Sequence, residues 1–224
     1  MKSNTSLKLT KIVAFTLLFY FSGMTSAFSK KNDFGVWLDL SATKKIHDAT
    51  FGLISEIYTR NNSSTLDRVS IGLKGDYQLL PWLSAGAGNV VINFFRAGYT
   101  ELADRIYFQV EPSWHLSHFY YTFRERMQIT LFPETRTDAL SSYYWRNRLE
   151  IIYKHDSSKI EPLTDLETLV RLGDANFTPT LGYRVTLGIN YHPKLNQKIK
   201  IYGMLTDGSI VSQYIFGIGY EIRL

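Results

Sequence analysis

Arginine and glutamate recur on one side of an alternating pattern along much of this chain. Glu56, Arg60, Glu111, Arg124, Arg126, Arg146, Arg148, Glu150, Glu167, Arg171, Arg184, Glu221 and Arg223 share that side, with apolar residues on the other. If the alternating stretches close into a tube with the charged side inward, these groups line one interior. A charge in a narrow interior is costly unless it is paired and hydrogen-bonded. Arginine suits the task because its planar fork grips a carboxylate at two points. Two readings of the charges stay open, a structural ion-pair network that plugs the tube or a binding or conduction path for small anionic solutes, within an expected role that is structural or in small-solute or lipid traffic. Arginines outnumber glutamates in the set, and Arg124, Arg126, Arg146 and Arg148 lie on adjacent stretches, as in pores lined by arginine.

Catalytic chemistry finds little support. Barrel enzymes that deacylate lipids need a nucleophile, a base and an oxyanion donor within reach. His115, Ser117 and His118 are close in sequence, but Pro112 to His118 reads as a turn, where a histidine beside aromatics suits an interface better than catalysis. His47, His155 and His192 also fall in or beside turns. No His-Glu-x-x-His pattern, phosphate-binding glycine loop or calcium-loop spacing occurs. The expectation is a protein that is not an enzyme, with no metal and no cofactor. A lipid-modifying enzyme using His115 or His118 is the alternative from another class. The absence of cysteine excludes a disulfide framework and thiolate metal sites. Of the formal charge of +5, three units belong to Lys2, Lys8 and Lys11, leaving +2 on the rest, so nucleic acid is not an expected partner.

Those three lysines begin a leader. They are followed by an apolar run, Ile12 to Phe21, and by Thr25-Ser26-Ala27 with small residues at the −3 and −1 positions of a cleavage site. Residues 1–27 therefore read as a cleaved secretory signal peptide, and 28–224 as one domain. The run is short for a span of ~20 residues.

Beyond the leader, period-two alternation marks strands at Asp33–Ser41, Phe51–Arg60, Arg68–Tyr77, Ser84–Phe95, Arg105–Glu111, Phe119–Phe132, Tyr143–Lys154, Leu163–Leu172, Leu181–Tyr191, Lys198–Thr206 and Tyr214–Leu224. Arg96 to Asp104, Asn61 to Asp67, Gly173 to Pro179 and a segment with Pro133 and Asp138 read as loops, and Asp207-Gly208 as a turn. Single-chain bacterial barrels carry even strand numbers. The eleven segments therefore point to twelve strands with one hidden near Val90 to Thr100, or to ten if the first does not pair. The last stretch alternates most cleanly and fits a closing strand, which the barrel-assembly machinery would engage through Tyr214–Leu224.

The apolar faces are long in nearly every strand, and the opposite faces hold glycines and arginines near glutamates. With the leader, this predicts an all-β, antiparallel, transmembrane up-and-down barrel in the bacterial outer membrane, with lipid outside. A soluble periplasmic lipocalin-like barrel is the alternative, with the apolar faces turned inward around a ligand. Trp82, Trp114, Trp145, Tyr191 and Tyr214 fit membrane-interface anchors.

Features spread along the chain carry a resemblance. They are Trp37, the Glu56 and Arg60 pair, Leu73 to Tyr77 before a short turn, Arg124-Glu125-Arg126, Arg146-Asn147-Arg148-Leu149-Glu150, Glu167, Tyr183-Arg184 with Gly188, and Ile201-Tyr202-Gly203-Met204. In this order and spacing the chain resembles the bacterial outer-membrane barrels grouped as domain of unknown function 2490. It departs from many outer-membrane barrels in ending on Leu224 and not on an aromatic residue. The resemblance implies location and architecture; it implies no reaction and no catalytic residue.

Overall fold

A computed structural model of the chain describes residues 31–133, 141–156, 158–172, 180–207 and 211–224. The leader and the Gly173–Pro179 loop lie outside these residues. The described chain is all-β. Its strands are β1 (Lys31–Ile46), β2 (Ala49–Arg60), β3 (Thr65–Leu80), β4 (Leu83–Arg96), β5 (Tyr99–Leu116), β6 (Phe119–Leu131), β7 (Ser142–Tyr153), β8 (Ile160–Leu172), β9 (Thr180–Tyr191), β10 (Gln197–Asp207) and β11 (Val211–Arg223).

Each strand pairs with its sequence neighbours, and β1 closes the barrel against β11. That makes eleven strands, which corrects the expectation of twelve or ten. The parity rule misled: Val90 to Arg96 belongs to β4, Tyr99 already starts β5, and β1 pairs on both sides. Each hairpin reverses the chain, so an odd number of up-and-down strands ends with the first and last running the same way. The β1–β11 pair is accordingly parallel, with Phe34 opposite Tyr214 and Leu40 opposite Tyr220, and the sheet is mixed where a wholly antiparallel one was expected.

Two expected loops are strand. Arg96 to Asp104 is a tight hairpin in which Ala97-Gly98 makes the whole turn, with Gly98 at φ 88°. Pro112 to His118 is strand as far as Leu116. Pro112 supplies no N–H, yet the register is the same on both sides of it, Val110 opposite Glu125 and Ser113 opposite Thr122. Pairing on both flanks outweighs the one lost donor. His115 thus lies in a strand, and only Ser117 and His118 form the turn. Of the expected loop Asn61 to Asp67, only Asn61 to Ser64 is a turn, and Thr65 already begins β3. Asn61, Asn62 and Ser63 all have positive φ, and the Asn61 and Asn62 amides donate to the Asp33 carboxylate at 3.2 and 2.8 Å.

Orientation decides what the barrel contains. Phe216, Ile218 and Leu187 are 42%, 38% and 49% exposed, while Arg124 is 9% exposed. Apolar side chains therefore cover the outside of every strand, and the polar faces meet inside. Glu125 interrupts the outer wall, exposed between Phe123 and Met127 and opposite Asn147. The interior also holds two apolar clusters. One is Val90, Ile92, Phe94, Ala103 and Tyr107 on β4 and β5; the other is Tyr58, Tyr202, Met204 and Ile215 with Trp37. Gly88 and Gly217 give the rings of Tyr107 and Tyr202 their places, because a Cβ at either position would overlap the ring.

Candidate functional site: the charged barrel interior

The strand period turns every second residue inward, so adjacent strands bring their charged positions to common levels. Arg124 and Arg126 on β6 lie opposite Arg148 and Arg146 on β7, Arg148 lies opposite Glu167 on β8, and Glu167 lies opposite Arg184 on β9. The four strands converge on the Glu167 carboxylate, which is 4% exposed. Arg124 donates to its Oε1 at 2.7 Å, Arg146 grips both oxygens at 2.9 Å, and Arg184 donates to Oε2 at 3.2 Å. Three guanidinium groups share one carboxylate, so the cluster carries surplus positive charge. Arg146 also donates to Gln128 at 3.0 Å.

Around this centre the interior is a set of linked pairs. Arg126 donates twice to Gln109, at 3.1 and 2.6 Å, and its guanidinium lies 3.9 Å over the Tyr107 ring. Gln109 in turn donates to Asp76 at 2.8 Å. Arg148 is 4.0 Å from Glu111, a loose pair. Glu150 shares Lys200 with Asp165, at 3.7 and 3.9 Å. Glu56 accepts from Ser70 at 3.3 Å. Arg60 sits 3.5 Å from Asp67 and donates to the Phe95 carbonyl at 2.9 Å. Glu221 holds Lys198 at 2.7 Å and Arg223 at 3.1 Å near the end of β11. Arg171 continues the inward face of β8 past Glu167. All thirteen charged residues singled out in the sequence thus belong to the polar faces, but only Arg124, Arg146, Glu167 and Arg184 form one tight cluster.

Sequence reading missed several members. Lys198, Lys200, Asp39, Asp165, Arg68 and Arg105 occupy the same alternating positions and could have been found by that signal. Asp39 accepts from the Tyr202 hydroxyl at 3.0 Å, and Arg68 lies 4.5 Å over the Tyr58 ring. The paired side chains are not sealed. Arg148, Arg184 and Lys200 keep 22%, 19% and 24% of their side-chain surface exposed.

The aromatic residues expected at interfaces are all exposed. Trp82, Trp114 and Tyr191 lie at the end with the 47–48, 81–82 and 117–118 turns, and Trp114 stacks on Tyr121 at 5.6 Å. Trp145 and Tyr214 lie toward the other end, with the 61–64 and 97–98 turns. His115 stacks on Tyr120, and His118 packs against Tyr153 and His155, with centroids 5.6 to 5.9 Å apart. His192 pairs with Glu161 at 3.1 Å. Among the described residues no three His, Asp or Glu side chains are grouped to hold a metal ion.

A family model described as "Protein of unknown function (DUF2490)" matches residues 34–207. The chain belongs to this family. The match runs from early β1 to the end of β10 and so takes in the Glu167 cluster. It stops before β11, whose place in the barrel is set by its pairing with β1 and β10. No curated protein matches the chain.

Proposed function

We propose that this protein is an outer-membrane β-barrel, exported by residues 1–27, whose arginine-rich interior handles small anionic solutes. The observation that carries the reading is the inversion of the barrel. Large apolar side chains cover the outside, and arginine side chains fill the middle. A barrel that faced water would place its apolar faces inside. Outward aromatics toward both ends fit the two membrane interfaces, and short turns at one end fit the periplasmic side. The C-terminal stretch Tyr214–Leu224 would be the segment engaged by the assembly machinery.

Fractionation with outer membranes and heat-modifiable gel mobility test the location; recovery in the soluble periplasm would refute it. Planar bilayers test the role. The expected result is a small, steady, anion-preferring conductance that Arg124→Ala with Arg148→Ala reduces. A barrel that inserts but stays electrically silent would instead support the second reading, a structural barrel plugged by its ion pairs. The three-armed clasp on Glu167 is the observation favouring that one. The proposed role is not catalytic, and lipid deacylation lost on His118→Ala would overturn that part.

A further inference from the structure

A cavity of about 460 Å³ opens on the barrel rim, at the end with the 47–48, 81–82 and 117–118 turns. Ser158, Lys159 and Glu161 line it where the chain enters β8, and His192, Lys194 and Leu195 line it where the chain leaves β9. Hydrogen bonds fix these walls. The His192 amide donates to the Lys159 carbonyl at 2.9 Å, which ties one wall to the other. The Ser158 hydroxyl donates to the Ile160 carbonyl at 2.8 Å, and the Gln197 amide donates to the Lys194 carbonyl at 3.1 Å. The volume lies within the roughly 300–1,000 Å³ of small-molecule sites.

The cavity carries both signs of charge. Glu161 Oε2 meets His192 Nε2 at 3.1 Å, and the other carboxylate oxygen has no partner among the described residues. Lys159 and Lys194 form no ion pair among the described residues. The lysines of β10 differ: Lys198 lies 2.7 Å from Glu221, and Lys200 lies 3.7 Å from Glu150. Apolar surface adjoins the charges. Ile160 and Tyr191 are each one residue from a cavity-lining side chain, pair in register and are exposed, as is Leu195.

A purely anionic ligand would meet Glu161 here, and a purely cationic one would meet two lysines. A ligand with both signs a few ångströms apart answers each. Lysine suits phosphate as a point charge. An exposed tyrosine beside an aliphatic residue suits the level of lipid headgroups. We propose that this rim cavity binds a phosphoethanolamine group as the headgroup of a phospholipid, with the phosphate between Lys159 and Lys194, the ammonium on Glu161, and the acyl chains along Ile160 and Tyr191. The lipid half of the proposal rests on the membrane reading; the charge pattern of the cavity does not.

The test is isothermal titration of the purified protein in uncharged detergent with short-chain lipids. Dihexanoyl phosphatidylethanolamine should bind saturably, about fivefold more tightly than dihexanoyl phosphatidylglycerol, which lacks the ammonium. Lys159→Gln with Lys194→Gln should weaken both lipids by about tenfold or more and keep the native Tm. Lys44→Gln with Lys45→Gln, exposed at the same barrel end, should leave both affinities unchanged. Glu161→Gln should erase the preference for the ethanolamine lipid and spare the glycerol lipid. The site is refuted by absent or unsaturable binding, by unchanged affinity or a collapsed Tm in the Lys159 and Lys194 double variant, or by equal loss of both lipids in Glu161→Gln. Free phosphoethanolamine binding as tightly as the lipid would overturn the headgroup and assign a solute. Outer-membrane fractionation without lipid binding would sink this site alone. Lipid binding by a protein recovered from the soluble periplasm would keep the site and remove the membrane location.

Discussion

Between β4 and β5 the inside of the barrel is packed by Val90, Ile92, Phe94, Ala103 and Tyr107, whereas across β6 to β9 the corresponding inward positions carry Arg124, Arg146, Glu167 and Arg184. Both walls fill space, but by different physics. The first relies on contact and shape, and Ile92 and Ala103 are 0% exposed. The second relies on guanidinium groups drawn onto one buried carboxylate. A closed sheet thus has one wall held by apolar packing and one held by ion pairs. The difference arises in side chains alone, since both walls are continuous antiparallel ladder.

The sharpest way to break this contrast is to remove the one carboxylate on which the charged wall converges. Glu167→Gln leaves three buried guanidinium groups without their counter-charge and should cost about 3–5 kcal/mol in denaturant unfolding from detergent or vesicles. A loss under about 1 kcal/mol would mean the clasp is incidental. The packed regions should answer to bulk. Gly88→Val and Gly217→Val would drive a side chain into the Tyr107 or Tyr202 ring and should each cost about 1–3 kcal/mol. Gly203→Val, whose Cβ meets nothing within 4 Å, should be far milder in the same assay, and equal losses would dissolve the distinction.

The outer wall gives a smaller effect of opposite sign. Glu125 is a charge among exposed apolar side chains, so Glu125→Leu should stabilise the barrel in vesicles by about 1 kcal/mol. Destabilisation there would show that Glu125 has a partner on the outer surface. Smallest of all is Arg223→Gln at the barrel end. Its side chain is 59% exposed, so the change should stay within about 0.5 kcal/mol in the unfolding assay.

Much of the barrel was legible in advance because period two survives in almost every strand. Each of the eleven alternating segments overlaps one of the eleven strands, though Arg105–Glu111 covers only the middle of β5, and residue type alone separated the two faces of each strand. The errors came where a general rule was set above the pattern. The parity rule turned eleven into twelve, and Pro112 was taken as a terminator although pairing on both flanks carries the strand past it. The hairpin at Ala97-Gly98 was hidden because Arg96 to Asp104 mixes charges and small residues without visible alternation. In the interior, Arg124, Arg146, Glu167 and Arg184 were all named. Their convergence on one carboxylate was not readable, because it depends on the register between β6, β7, β8 and β9.

The sequence by itself determined which side chains share a face, because alternation is local and follows from strand geometry at each residue. The odd strand number and the parallel meeting of β1 with β11 came from the closed sheet, since the pattern alone points to twelve or ten antiparallel strands. Only the tertiary structure decided which way the faces turn on closure and which guanidinium groups find a carboxylate. Those outcomes depend on the stagger of each strand against its neighbours and on the reach of side chains across the tube. Both are distances between residues far apart in the chain, and no local pattern encodes them.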